Sequence, residues 1–171
     1  MTEKTLYLAG GCFWGTERYL SMIPGVIATE VGYANGKQRT VTYQEVCREN
    51  TGHAETVKVT FDLSLLSVER LLALFFDAID PTGVNQQGND VGTQYRTGIY
   101  YDDPSLRPAI DRAMDALQKK TTGIVAVEVL PLSQYCPAEE YHQNYLVKNP
   151  DGYCHIGIAQ FLHLAAEVKK L

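Results

Sequence analysis

Residues 54–62, AETVKVTFD, alternate apolar and polar side chains, and five residues later the period changes. From Ser67 onward Arg70, Leu71, Leu72, Leu74, Phe75 and Ile79 follow helical spacing, with Ser67 placed to cap the first turn. A segment with period two buries one face of a strand. A stripe with period 3.6 buries one side of a helix, so a chain carrying both this close together packs helix on sheet. The same switch recurs. Strands are expected at 4–10, 25–34, 95–102 and 123–132. Helices are expected at 14–23 (stopping before Pro24), 43–50, 67–80, 105–120 (capped by Ser105), 137–149 (Pro at its start) and at the C-terminal end. Polar loops fall at 35–42 and 82–94, the second long and Gly-rich. The order of strands and helices is irregular. The expected class is therefore α+β, a two-layer sandwich of helices on a mixed β-sheet with a ferredoxin-like core and an irregular C-terminal tail.

At 171 residues one domain is expected, with enough chain to bury a core without covalent staples. A net charge of -5 with scattered basic residues argues against nucleic acid as partner. No apolar run approaches bilayer length, and the apolar stretch near the N-terminus is short for a leader, so a cytoplasmic protein without membrane contact is expected. Four cysteines, Cys12, Cys47, Cys136 and Cys154, are too scattered for a disulfide scaffold. They lack CxxC or compact Cys/His spacing, so no metal site is expected. No phosphate-binding or dinucleotide-binding glycine pattern is present.

The sequence LAGGCFWG (8–15) puts one of these thiols on a glycine-rich turn between a strand and a helix. Unpaired N–H groups at a helix start favour a thiolate, so a lowered pKa and a nucleophilic role are expected for Cys12. Phe13 and Trp14 would wall an apolar pocket beside it. The competing reading is a buried, inert cysteine in a tight turn. Glu55 follows Gly52-His53-Ala54 at a loop–strand junction. A carboxyl kept neutral by apolar rings could act as a general acid there, whereas a plain exposed charge is the commoner case. His53 could serve Cys12 as a base or cap a turn. Tyr43, Asp90 and Tyr95 add polar groups from neighbouring segments, although most of the 11 tyrosines must be structural. Cys154 follows a Pro-Asp-Gly turn, so an accessible thiol is expected, either one that reaches Cys12 or a surface cysteine with no partner. Cys47 lies within a helical segment and is expected to be packed rather than reactive. Cys136 is a spare thiol or a second resolving candidate.

GCFWG, GHAE, GNDVGTQYR and AEEYHQNYL, in this order over about residues 6–158, strongly resemble the peptide methionine sulfoxide reductase A family. The resemblance implies a catalytic domain over 1–171 that reduces the S epimer of methionine sulfoxide, free or in oxidised proteins, without metal or organic cofactor. It implies that Cys12 attacks the sulfoxide sulfur, that Phe13 and Trp14 receive the methyl group, and that Glu55 protonates the oxygen. Tyr43 and Tyr95 would hydrogen-bond that oxygen, and Asp90 would help hold substrate and water. A Cys12 sulfenic acid would then be resolved by Cys154 as a disulfide, with thioredoxin as the external reductant. Cys136 stands where many relatives carry an aromatic, which keeps it as the other candidate for resolution. A monomer is expected. Two readings of other classes compete. One is a cysteine hydrolase or acyltransferase with His53 or His142 as base, the other a redox-sensing module without turnover.

Overall fold

The computed structural model describes residues 2–37, 41–48 and 51–170. Residues 38–40 of the expected loop and 49–50 of the expected helical segment lie outside them. Among the described residues eight strands and six α-helices follow one another as β1 (Glu3–Gly10), α1 (Phe13–Ser21), β2 (Val26–Ala34), α2 (Tyr43–Arg48), β3 (Ala54–Asp62), α3 (Val68–Phe76), β4 (Gln86–Gln87), β5 (Asp90–Val91), β6 (Thr97–Tyr101), α4 (Arg107–Lys120), β7 (Glu128–Pro131), β8 (Tyr135–Pro137), α5 (Tyr145–Lys148) and α6 (Ile158–Val168).

Six strands form one sheet in the order β7-β6-β1-β3-β2-β8, with β4 and β5 a separate small hairpin. The β6–β7 pair is parallel and the other pairs of this sheet are antiparallel among the described residues, so the sheet is mixed as expected. Its inner order β6-β1-β3-β2, with α1 after β1 and α3 after β3, has ferredoxin-like connectivity. Alternation along the strands divides the sheet's two faces. Leu6, Leu8, Val31, Val57, Val59, Phe61 and Ile99 enter the main core. Tyr7, Ala9, Ala34, Ala54 and Tyr100 pack together on the opposite face. α3 supplies Leu71, Leu72, Leu74 and Phe75 to the main core, all fully buried, and Ser67 caps it by accepting the Arg70 N–H at 3.0 Å.

Three expectations need correction. The helix expected to start at Ser105 is entered through a 3-10 turn capped by Asp103, whose side chain accepts the Ser105 N–H. Only Glu128–Pro131 of 123–132 is strand. Before it, Val125 and Ala126 give their N–H groups to Gln118 and to the Pro81 carbonyl instead of to a neighbouring strand. Residues 137–149 do not form one helix. They hold the end of β8, a 3-10 turn at Glu140–His142, and α5, with Asn144 left-handed at φ 52°. Tertiary bonds break this helix. Gln143 uses its side-chain amide as a strand would, accepting the Val31 N–H and donating to the Val31 carbonyl, both at 2.9 Å. Buried Glu17 accepts the Asn144 N–H at 2.7 Å.

Candidate active site

β1 ends at Gly10, beside Thr97 of β6. Gly11, at φ 89°, then turns the chain out of the sheet, a conformation that suits glycine. A β-carbon there would lie 2.8 Å from Gln87 Cβ and 2.9 Å from His155 Nε2. The turn places Cys12 at the N-cap of α1, where Thr16 Oγ1 ties down the Gly10 and Cys12 carbonyls. Gln87, buried below, accepts the Asp80 N–H and donates to Thr97 Oγ1, which fixes the loop expected at 82–94 under the turn.

Glu55 stands on the main-core face at the start of β3, opposite Tyr33, and is 1% exposed. The Phe13 N–H donates to its Oε1 at 3.2 Å, and Gln94 Nε2–H donates to its Oε2 at 2.9 Å. Burial pushes this carboxyl up from 4.5 to about 7, with the nearby Asp90 charge adding to the rise and the two N–H donors opposing it. Glu55 is therefore a buried acid that holds its proton near neutrality, as a general acid must. Because the native state keeps this proton to higher pH than the unfolded chain, the stability it confers is full below pH 4.5 and fades as pH rises through about 7. The window corresponds to roughly 3 kcal/mol. In urea unfolding, wild type is expected to lose stability between about pH 5 and pH 8 more steeply than Glu55→Gln, and parallel profiles would contradict a raised pKa.

The expected lowering of the Cys12 thiol is not found. Burial and the Glu55 charge push it up. The N–H groups of Trp14 and Gly15, at the helix start, pull it down as expected but are outweighed. Burial thus disfavours the thiolate, the more so while Glu55 is ionised.

Phe13 is fully buried and packs on Tyr33, Tyr43 and His142 at centroid distances of 5.6, 6.5 and 5.2 Å. Trp14 stacks on Tyr145 at 3.8 Å, and its Nε1–H donates to His142 Nδ1 at 2.9 Å. The indole is therefore held in one orientation. Tyr43 and Tyr95 both feel the Glu55 charge, which together with burial raises their phenols, so both remain neutral donors. Asp90, on β5, accepts the Tyr153 hydroxyl at 3.0 Å, and its charge reaches Cys12, Glu55 and Tyr95. The structure thus gathers Cys12, Phe13, Trp14, Tyr43, Glu55, Asp90 and Tyr95 around one place.

Cys154 joins them from the C-terminal segment. A β-carbon on Gly15 would sit 2.8 Å from Cys154 Sγ, so that thiol lies against the first turn of α1. Cys136 lies elsewhere on the sheet. It pairs with Tyr33 on β2, which in turn pairs with Glu55, so a full strand separates it from Glu55, and its thiol turns to the Val41 carbonyl. Cys47 is not packed away. It is exposed, accepts Gln94 Nε2–H at 3.3 Å and hydrogen-bonds the Tyr43 hydroxyl. His53 turns its Nδ1 to Thr51 Oγ1 at 2.8 Å, and His142 Nδ1 accepts the Trp14 Nε1–H at 2.9 Å.

Sequence reasoning missed Gln94, Glu139, Tyr145 and Tyr153. Glu139 accepts the Tyr33 hydroxyl and the Tyr43 N–H and so seats α2 on the site. Gln94 and Glu139 lie inside GNDVGTQYR and AEEYHQNYL. Membership in those stretches was the available signal. Among the described residues no group of three or more His, Cys, Asp and Glu is arranged to hold a metal ion, and no helix is long and apolar enough to cross a membrane.

Residues 4–170 match the family described as peptide methionine sulfoxide reductase. A peptide methionine sulfoxide reductase MsrA of Lachnoclostridium phytofermentans is 55% identical over 159 residues, covering 93% of this chain and 96% of that protein. The crystal structure of Mxr1 from Saccharomyces cerevisiae in reduced form superposes with a TM-score of 0.85 at 36% identity, covering 90% of this chain and 89% of the other. Mxr1 in complex with Trx2 shares the fold, with a TM-score of 0.59 at 22% identity over 84% of this chain and 85% of that one.

Proposed function

This chain belongs to the peptide methionine sulfoxide reductase family and is an oxidoreductase, and from that premise we propose that it reduces the S epimer of methionine sulfoxide through a Cys12 sulfenic acid. The observation that carries the reading is a buried Glu55 beside Cys12, with neutral Tyr43 and Tyr95 facing Glu55 and Tyr95 also within reach of Cys12. Oxide is a poor leaving group. A proton delivered from Glu55 turns the sulfoxide oxygen into a leaving hydroxide or water as the Cys12 sulfur bonds to the methionine sulfur and the S–O bond breaks, and the oxygen then bonds to Cys12 as the S–S bond breaks, releasing methionine and leaving the sulfenic acid. Tyr43 and Tyr95 hold that oxygen by donation. Transfer of the Glu55 proton to substrate leaves a carboxylate only once the thiol has been consumed, so acid and nucleophile do not oppose each other at the moment of reaction. Phe13 and Trp14 receive the methyl group and exclude water, and Asp90 orients substrate and water.

Cys154 then attacks the sulfenic sulfur. Its position against Gly15 supports it over Cys136 as the resolving thiol. A cleft of about 390 Å³, lined by Arg18, Met22, Val147, Phe161 and Cys154, gives that thiol a path to solvent. The path suits exchange with a thioredoxin-like dithiol. The complex of Mxr1 with Trx2 supports the same class of reductant here. Oxidised proteins as substrates, a monomeric state and a cytoplasmic setting complete the proposal, with no metal or organic cofactor taking part.

The test counts thiols on reduced protein before and after methionine S-sulfoxide, without added reductant. Wild type is expected to form methionine and lose two thiols. Cys154→Ser is expected to form methionine and retain a sulfenic acid on Cys12. Loss of two thiols in the variant would pass the resolving role to another cysteine, and absence of methionine from wild type would end the reductase reading.

A further inference from the structure

His155 has one ring nitrogen in use and one without a partner. Its Nε2 lies 2.8 Å from the Gly10 carbonyl, which can only accept, so Nε2 carries the proton. Nδ1 therefore holds a lone pair. That atom is buried and has no hydrogen-bond partner. A buried acceptor left open is uncommon and calls for an explanation. Nδ1 flanks the same point as the Cys154 thiol. A β-carbon on Gly15 would meet Cys154 Sγ at 2.8 Å and His155 Nδ1 at 3.2 Å. In the reduced chain the Cys154 thiol donates instead, weakly, to the Ile156 carbonyl at 3.5 Å.

We infer that His155 is the general base of the resolving step, accepting the Cys154 proton at Nδ1 as the sulfur attacks. The inference rests on the assignment of Cys154 as resolving thiol made above. In the step, the Cys154 sulfur bonds to the Cys12 sulfur and the S–O bond of the sulfenic acid breaks. The proton held on Nδ1 passes to the departing hydroxide as water. Cys154 is oxidised and Cys12 is reduced by the same electron pair, so no outside oxidant is required. The need for a base is evident, since burial pushes the Cys154 thiol up. Burial also lowers His155 below its ordinary 6.5, partly opposed by the Gly10 carbonyl and by Asp90, so the ring is neutral and able to accept. Of the groups facing this pair, Asp90 lies on β5, Gly10 on β1 and Cys12 at the start of α1, while Arg18 of α1 lines the cleft that Cys154 shares. The anchor to Gly10 also explains the position of the ring. It lets the segment carrying Cys154 dock on the turn that carries Cys12.

His155→Gln keeps a nitrogen donor where Nε2 stands and removes the basic Nδ1. In a single turnover with methionine S-sulfoxide it is expected to form methionine at the wild-type rate. The loss of thiols should slow by about 10²-fold at pH 7. Raising the pH should restore the variant as Cys154 ionises unaided, whereas the wild-type rate should stay level above the His155 titration. Disulfide formation at the wild-type rate at pH 7 would overturn the base role. A deficit that persists unchanged at alkaline pH would also overturn it, because that marks a purely structural part. Cys154→Ser, run beside it, separates the two levels of argument. Two thiols lost in that variant would remove the resolving assignment itself. One thiol lost, together with an unslowed His155→Gln, would remove only the base.

Discussion

Replacement of Glu55 by Gln is expected to slow methionine formation in a single turnover by about 10²- to 10⁴-fold. On the proposed mechanism the proton on Glu55 makes the sulfoxide oxygen able to leave, and an amide cannot supply it. The surroundings show why the residue is suited to this. Burial holds the carboxyl up to about 7, while the Phe13 and Gln94 N–H groups fix one oxygen each. The acid is thus aimed as well as neutral. The wild-type rate should fall as pH rises past about 7, where the proton is lost, and Glu55→Gln should lack that limb. Rapid-quench measurement of methionine against pH tests both expectations. A variant within tenfold of wild type, or one that keeps the limb, would move the acid role away from Glu55.

Part of this site could be read along the chain because neighbouring residues carry it. Gly10 to Gly15 puts turn, proposed nucleophile and proposed pocket wall in six successive positions, and Glu55 stands at the start of the best-patterned strand of the sequence. The strands at 4–10, 25–34 and 54–62 were legible for the same reason, since one buried face imposes a period of two. What escaped depends on contacts distant in sequence. Gln94 meets Glu55 across 39 positions, and Tyr153 meets Asp90 across 63. Cys47 looked packed because helical spacing does not tell which side of a short helix faces a pocket mouth. Residues 137–149 have helical composition, yet Glu139, His142 and Gln143 are engaged by Tyr33, Trp14 and Val31, and these bonds break the helix. The Cys12 thiol was misjudged because a helix start can be recognised in sequence and the depth of burial cannot.

The other large effect concerns that thiol. Cys12→Ser is expected to form no measurable methionine, since a hydroxyl with the same neighbours is far less nucleophilic than sulfur and cannot take up the oxygen reversibly. The more telling part of the prediction is how Cys12 responds to Glu55 in the resting enzyme. Burial and the Glu55 charge both oppose the thiolate. Wild type at about pH 8 should therefore react sluggishly with iodoacetamide at Cys12, and Glu55→Gln should react faster, by about tenfold, because removal of one nearby charge favours ionisation. The same substitution would then lower turnover and raise alkylation. A residue that merely supported the fold would not produce that opposition, since loosening the site would expose Cys12 without dependence on charge. Glu55→Asp, which retains the charge, is the control. If it alkylates as fast as Glu55→Gln, steric release accounts for the change. If it stays near wild type, the carboxylate itself restrains Cys12. The enzyme would then keep its nucleophile quiet until Glu55 is protonated, and protonated Glu55 is also the form that can give the oxygen its proton.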